Sequence, residues 1–529
     1  MENVELNNLF LASNFTIKPV NNVMNYWLDS YQVKSSIHFS EAYSFISKLY
    51  DKKSEFYDTS NFSSVIFFRY ENCYAGSQSI DLSLSVVESF SNELFDALEY
   101  ASLNGSVPIL LIEAPSSDAL NINTSDLRNE LKTKLKQLDN VHFEPQETLF
   151  SLYPSCQYFN EYEYATTLMP YSRECYTALG TIASRLIVSR KIKPKKVLVL
   201  DCDNTLWGGV VGEDGVENLV LNHDYIGLQD FVVKLHDKGI LLCLCSKNTE
   251  QDVWAAFDYH QGKMPLQKSH IVSHGINWDL KSSNIIRLAN ELNLGLDSFI
   301  FIDDNPTEIC EVQSACPEVT CLQLPDNSND IMLFLQHQWA LDVPAVSKAD
   351  ASRTRFYQKD KLRKAEQSKF TSHEEFLAHL NLELNIYEIS DESIARACQL
   401  SVRTNQFNFS GIQFDRAQAS QRIGSSTSKC MLVSVKDRFG EYGEVGCIFY
   451  RIECDSIVVE NFLLSCRALG KNVEKKMWDW LCNRAEEKGL GKIDVLFKPT
   501  ARNKPAENFL KSIEFNRFNE GDVLRHSLF

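Results

Sequence analysis

Several features that would place this chain at once are missing from it. Its 529 residues include 15 cysteines, yet no two of them stand as C-x-x-C. A disulfide framework or a zinc knuckle would show such spacing, so reduced cytosolic thiols are expected, most of them small core residues. Positive charge is in deficit: 53 Lys and Arg face 70 Asp and Glu, a formal net charge of -17. A nucleic-acid binder needs a basic face for phosphates, so no nucleic-acid partner is expected; a small phosphorylated substrate needs only a few local donors. No run approaches the ~18 apolar residues of a membrane span. The opening MENVELNNLFLASNFTIKP has no basic segment ahead of an apolar core, so neither a signal peptide nor a membrane partner is expected, and the location should be cytoplasmic. Internal repeats and low-complexity tracts are lacking too.

What is present is ordinary globular composition, 44% hydrophobic and 23% charged. At roughly 100–200 residues per domain, such a length suggests about three domains. Residues 1–190 mix helical patterns with continuous apolar runs, SVIFFRY (Ser64–Tyr70) and VPILLIEAP (Val107–Pro115), which read as buried parallel strands of an α/β domain. No convincing Ser/Asp/His set is found there, so a structural or docking role is expected. Over 191–325 the alternation becomes regular, with strands VLVL, ILLCLC and FIFI each ending in polar residues. That pattern predicts a doubly wound parallel sheet whose polar strand ends meet at one crest. Residues 326–370 are polar and helix-prone, and read as a connecting arm. Residues 371–529 carry strands at MLVSVKD, VGCIFYRI, IVVENFLL and IDVLF with a long helix after Arg467, which predicts an α+β domain.

The chemistry gathers in KVLVLDCDNTLWGGVVGEDG, Lys196–Gly215. Asp201 at a strand end can attack phosphorus, which splits one hard hydrolysis into two easier steps. Asp203, two residues on, can protonate the leaving oxygen and later activate water. Ser246, followed by Lys247 and Asn248, can bond a phosphoryl oxygen, and Lys281 in WDLKSSN can neutralise charge. Asp303 and Asp304 in FIFIDDNP, with Asp201 and Asp203, offer the oxygen ligands that Mg²⁺ prefers. Cys202, between the two aspartates, should point away from them by alternation along an extended chain. The Gly-rich GGVVG reads as a flap.

These elements, in this order, resemble the haloacid dehalogenase superfamily of Mg²⁺-dependent phosphotransferases. On that resemblance Asp201 is the nucleophile, Asp203 the acid/base, Thr205 and Ser246 hold phosphate, Lys281 neutralises charge, and the aspartates serve the metal. The wider set LDCDNTLWGGVVGEDG, LLCLCSKN, NLGLDSFIFIDDNP, RTNQFNF, DRFGEYGEVG and LLSCRALGKNVE, with NFTIKPV and PYSRECYTALG upstream, resembles the FkbH-like family. The family implies a bifunctional enzyme that takes 1,3-bisphosphoglycerate, removes phosphate, and loads glyceryl on the phosphopantetheine thiol of an acyl carrier protein for polyketide-type assembly. It implies an SGNH- or flavodoxin-like N-terminal domain and a C-terminal domain similar to N-acetyltransferases (GNAT fold).

In that last fold a loop R-x-x-G-x-G/A cradles pyrophosphate at a helix N-terminus. Here it reads Arg467-x-x-Gly470-x-Asn472, with Asn departing from the pattern, so a carrier's pantetheine arm is expected in place of acetyl-CoA. Cys466, ahead of Arg467 at the expected helix start, is the candidate acyl-bearing thiol. Arg403 and Asn405 of RTNQFNF could hold the substrate's remaining phosphate or carboxylate, or simply end a solvated helix. Arg353, Arg355, Lys359, Lys361, Arg363 and Lys364 form a basic run that could dock an acidic carrier, or face solvent.

Overall fold

The computed structural model describes residues 7–73, 82–117, 122–138, 140–154, 157–167, 169–343, 357, 359, 363, 366, 369–370, 372–404, 406–414, 416–500, 503–513, 516–517 and 523–527. Two compact units emerge. One comprises Met1–Lys196, Asp201–Phe231 and Asp297–Ala345; the other comprises Val197–Leu200, Val232–Leu296 and Val346–Phe529.

The first sheet contains β1 (Asn7–Ser13), β2 (Ser35–Phe39), β3 (Asn61–Phe68), β4 (Ile109–Glu113) and β5 (Val141–Glu144). Its strands are parallel, in the order β2-β1-β3-β4-β5, the order of flavodoxin-like doubly wound sheets. Alternate side chains enter different cores. Leu9, Leu11, Val65, Phe67, Leu110 and Ile112 pack on one face with helices Val20–Ser30 and Arg173–Lys191. Phe10, Ala12, Ile66, Phe68, Ile109 and Leu111 pack on the other with helix Leu84–Asn104. Burial on both faces is why these strands read as unbroken apolar runs.

The segment after residue 325 is no free arm where it is described. Helix Ile331–Gln336 is followed by Trp339, whose ring stacks on Tyr31 (4.8 Å) and meets Trp27 (4.9 Å). Arg185 forks onto both oxygens of Asp342 at 2.7 and 2.6 Å, and His337 bonds the Leu152 carbonyl at 3.0 Å. These contacts fasten it to the flank of the first sheet.

The second sheet consists of β6 (Val197–Leu200), β7 (Leu241–Ser246), β8 (Ile271–Ile276), β9 (Phe299–Asp303) and β10 (Thr320–Gln323), in the order β10-β9-β6-β7-β8. The paired strands run parallel. The third is a mixed sheet of β11 (Glu383–Glu388), β12 (Ser428–Asp437), β13 (Gly440–Ile452), β14 (Ser456–Leu464), β15 (Lys492–Leu496), β16 (Asn516–Arg517) and β17 (Val523–Ser527). Its order is β11-β12-β13-β14-β15-β17-β16, antiparallel except between β14 and β15. The α+β arrangement read from the sequence is therefore found. The helix placed after Arg467 begins later, at Val473, because Gly470 and Asn472 both take left-handed backbone with φ +75° and +64°.

Of the basic run, Arg353, Arg355, Lys361 and Lys364 lie outside the described residues. Arg363 is 1% exposed and forks onto Asp437 at 2.7 and 3.0 Å, so it cannot meet a partner protein. Burial pushes the Asp437 carboxyl up, but the Arg363 guanidinium, the Tyr442 hydroxyl (2.7 Å) and the Phe439 N–H outweigh it and hold the pKa below the usual range. A depressed carboxyl stabilises the fold above its unfolded pKa of about 4, and the contribution is lost as pH falls through the folded value. Asp437→Asn leaves a buried guanidinium unpaired. It should cost about 3–5 kcal/mol in urea unfolding at neutral pH, and the remaining stability should fall less steeply below about pH 4.

Candidate active site

In the second sheet the chain passes from β6 to β7 and β8 on one side, and lays β9 and β10 on the other. Strand order thus reverses beside β6, and in such sheets ligands bind past the carboxyl ends of the strands at that point. Asp201 directly follows β6, and its N–H donates to the Ile302 carbonyl of β9 at 3.0 Å. Asp303 ends β9 and Asp304 follows it. Carboxylate oxygens of Asp201, Asp303 and Asp304 all lie within 4.8 Å of one another. Asp201 and Asp303 are buried and Asp304 is half-buried. Two like charges about 4 Å apart repel by ~4 kcal/mol at an effective dielectric of ~20. The cluster could hold a cation, and an all-oxygen donor set suits a hard one.

Local sequence explains how β9 delivers its two acids. Asp303 Oδ1 accepts the Asn305 N–H at 2.9 Å, which fixes that carboxylate. Asn305 in turn caps helix Pro306–Ala315, its Oδ1 accepting from Thr307 N at 2.9 Å, with Pro306 at the first helical position. DDNP is thus strand end, acid, cap and helix start in successive residues.

Asp203 is not a member of the three-carboxylate cluster. Its Oδ1 accepts from Trp207 Nε1 (2.9 Å) and from Val211 N–H (3.1 Å), so the side chain is oriented by the loop that follows it. Trp207 is fully buried, and the sequence reading missed it. Asn204 makes the turn with φ +51° and accepts the Gly209 N–H at 3.0 Å, while Asp214 accepts from Val210 N at 2.8 Å. The Gly-rich stretch is held by these bonds, and one of its residues, Val211, bonds Asp203 directly. Thr205 is fully buried and its hydroxyl has no hydrogen-bond partner, a cost of about 1–3 kcal/mol that a bound acceptor would remove. Cys202 is fully buried, in packing as expected.

Ser246 ends β7, and its hydroxyl accepts from Asn248 Nδ2 at 3.0 Å; both residues are buried. Lys247 between them is half-buried. Lys281 opens helix Lys281–Leu292 and is 3% exposed. Two residues that the sequence reading passed over hold that helix start. The amides of Asn277 and Asn284 bond each other at 3.1 and 2.8 Å, and the pair lies against Gly275.

In the third sheet, Cys466 is half-buried in the turn after β14, seven residues before the helix and not at its start. Arg467 lies in the same turn, where its carbonyl accepts from Lys471 Nζ at 2.8 Å. Gly470 supplies one of the positive φ values of that loop. Arg403 closes helix Ile394–Arg403, and Asn405 lies outside the described residues. The Phe residues of RTNQFNF are core: Phe407 and Phe409 are buried, and Phe409 stacks on Phe462 at 4.9 Å.

No protein-family model and no curated protein matches the sequence. Among solved structures, the chain is similar to the N-terminal part of protein BF1531 from Bacteroides fragilis, which contains a phosphatase domain and was solved in complex with Mg. That match has 22% identity and a TM-score of 0.56, and covers 65% of this chain and 95% of that one. The two share a fold over this span. The chain also aligns with the ribosomal-protein-S18-alanine N-acetyltransferase of Escherichia coli (10% identity, 28% of this chain, 94% of that one, TM-score 0.22). A further alignment is to the PaiA N-acetyltransferase of Thermoplasma acidophilum in complex with coenzyme A (10% identity, 27% and 99%, TM-score 0.23).

The Asn277–Asn284 pair gives a direct test of how Lys281 is placed. A Cβ on Gly275 would sit 2.7 Å from Asn284 Cβ and Cγ. Gly275→Ala should therefore cost about 1–3 kcal/mol, read as a lowered melting temperature, while Gly262→Ala, with open space around it, should lose only the strain of its positive φ.

Proposed function

We propose that this chain is a Mg²⁺-dependent phosphatase of the haloacid dehalogenase type, joined to an acyltransferase-like domain. We further propose that it works as the FkbH-like family does, on 1,3-bisphosphoglycerate and an acyl carrier protein. The observation that supports the first half is the cluster of Asp201, Asp303 and Asp304, whose carboxylate oxygens lie within 4.8 Å of one another in an all-oxygen set that suits a hard cation. Mg²⁺, bound by these three, would neutralise charge on a phosphoryl group.

The chain's own residues then have distinct tasks. Asp201 attacks phosphorus: its oxygen forms a bond to the phosphoryl group as the P–O bond to the substrate alcohol breaks. Asp203, oriented by Trp207 and Val211, gives that alcohol its proton and later takes one from the water that releases phosphate. Thr205, Ser246, Lys247 and Asn248 hold phosphoryl oxygens, and Lys281 balances their charge. For the acyl half, the carrier's phosphopantetheine thiolate attacks the acyl phosphate carbon of the glycerate; a C–S bond forms and inorganic phosphate leaves. Cys466 is the candidate for an enzyme thioester on the way.

Incubating a holo-carrier with the enzyme, Mg²⁺ and 1,3-bisphosphoglycerate should add a glyceryl mass to the carrier by mass spectrometry. Asp201→Asn should leave the phosphate ester in place. Efficient turnover of soluble phosphoesters with no mass gain on the carrier would sink the carrier reading and leave a phosphatase of another ester. Trp207→Phe keeps the ring but removes the donor to Asp203. It should lower phosphatase kcat about 10–100-fold, with KM little changed.

A further inference from the structure

The first sheet has a carboxyl edge of its own to account for. Its chain runs from β1 to β2 on one side and then lays β3 on the other, so strand order reverses between β1 and β3. Such sheets take ligands past the carboxyl ends of the strands at that point. Arg69 directly follows β3 and is 3% exposed. Its Nε and Nη2 pair with Glu71 at 3.1 Å each, while Nη1 has no hydrogen-bond partner among the described residues. The rings of Phe159, Tyr164 and Tyr171 stand 5.7, 5.6 and 5.5 Å from the guanidinium carbon and wall it in. One short turn further on, Asn72 is also 3% exposed, and its Oδ1 is a second buried atom without a partner among those residues. A buried polar atom left unpaired is costly, and the Thr205 hydroxyl marks the second sheet in the same way close behind β6.

The surrounding bonds hold these atoms in place without satisfying them. Asn14, just past β1, donates from Nδ2 to the Arg69 and Asn72 carbonyls at 2.8 and 3.0 Å and accepts the Arg69 N–H at 3.0 Å, which ties the ends of β1 and β3 together. Tyr43, in the loop after β2, reaches the same place. Its hydroxyl accepts from Asn72 Nδ2 at 3.0 Å and keeps its own proton to donate. Burial pushes the Tyr43 phenol pKa up by more than the Asn72 bond and the Arg69 charge bring it down, so the donor persists at neutral pH. Tyr43 also has φ +68°, left-handed backbone that a large side chain seldom adopts, and the Ser13 carbonyl holds its N–H at 3.0 Å. Backbone strain of this kind collects at ligand clamps.

We propose that this edge of the first sheet is a binding site for a small 2-hydroxycarboxylate, whose carboxylate accepts from Arg69 Nη1 and the Tyr43 hydroxyl and whose own hydroxyl donates to Asn72 Oδ1. Glu71 balances the Arg69 charge, so a bare anion gains little from it, and the hydroxyl that meets Asn72 decides which acids are held. The first sheet then has a ligand of its own, independent of the function proposed above.

Titration calorimetry of the full chain, with EDTA present to keep metal from the aspartate cluster, tests this with D-glycerate, acetate and ethylene glycol as probes. D-Glycerate should bind about tenfold or more tightly than acetate, which lacks the hydroxyl, or ethylene glycol, which lacks the carboxylate. Tyr43→Phe removes only the phenol oxygen and should weaken glycerate about tenfold. Arg69→Lys, which keeps the charge and loses Nη1, should abolish binding. Near-UV circular dichroism reports whether each variant is folded. No glycerate binding to the unaltered chain, equal affinity for glycerate and acetate, or a folded Tyr43→Phe with unchanged affinity each overturns the proposal. Should both variants unfold, the ranking of the three probes on the unaltered chain decides. No phosphate ester and no carrier is used, so a failure of the proposed function leaves this result standing.

Discussion

Three carboxylates share one small volume, and much else in the second sheet follows from keeping them there. Like charges at such separations repel, so their positions have to be held by the surrounding chain. Two devices hold them. Asp201 is tied through its backbone to β9, the strand that carries Asp303, so the two acids cannot drift independently. Asp303 is pinned by Asn305, which is itself committed to starting the next helix. The strands beneath are buried residue by residue, which lends the site a stiff floor.

Much of this is visible in the residues alone, because local rules and long-range position coincide. VLVL and FIFI are buried strands on any reading, and an acid directly after such a strand has to stand at its carboxyl end. Asp203 shows where local reading stops. As a lone residue two positions on, it resembles another metal ligand; only the folded loop reveals that Trp207 and Val211 hold its carboxylate. β8, IVSHGI, went unread because its His and Gly interrupt the apolar run, and β11, ELNIYE, because much of it stays near solvent. The Asn277–Asn284 pair is a contact between a strand end and a helix, which no spacing rule announces.

The C-terminal domain shows the converse, a motif that is legible and yet misleading. Arg467-x-x-Gly470 reads as a loop at a helix start, but left-handed backbone at Gly470 and Asn472 delays the helix to Val473, so neither Cys466 nor Arg467 stands at its N-terminus. RTNQFNF, with its amides and rings, has the look of a binding segment. Its rings are buried because β14 outruns β15, a fact about strand lengths rather than about the segment.

The seating of Trp339 against Tyr31 and Trp27, and of Asp342 on Arg185, bears on how the chain can be cut. A fragment ended near residue 190 would expose the aromatic patch and strand the Arg185 guanidinium, though it would keep the whole of the first sheet. The return segment through residue 343 completes that layer after the second sheet has been made. The N-terminal region is therefore finished by residues synthesised well over a hundred positions later, and exchange of modules between relatives has to carry both pieces together.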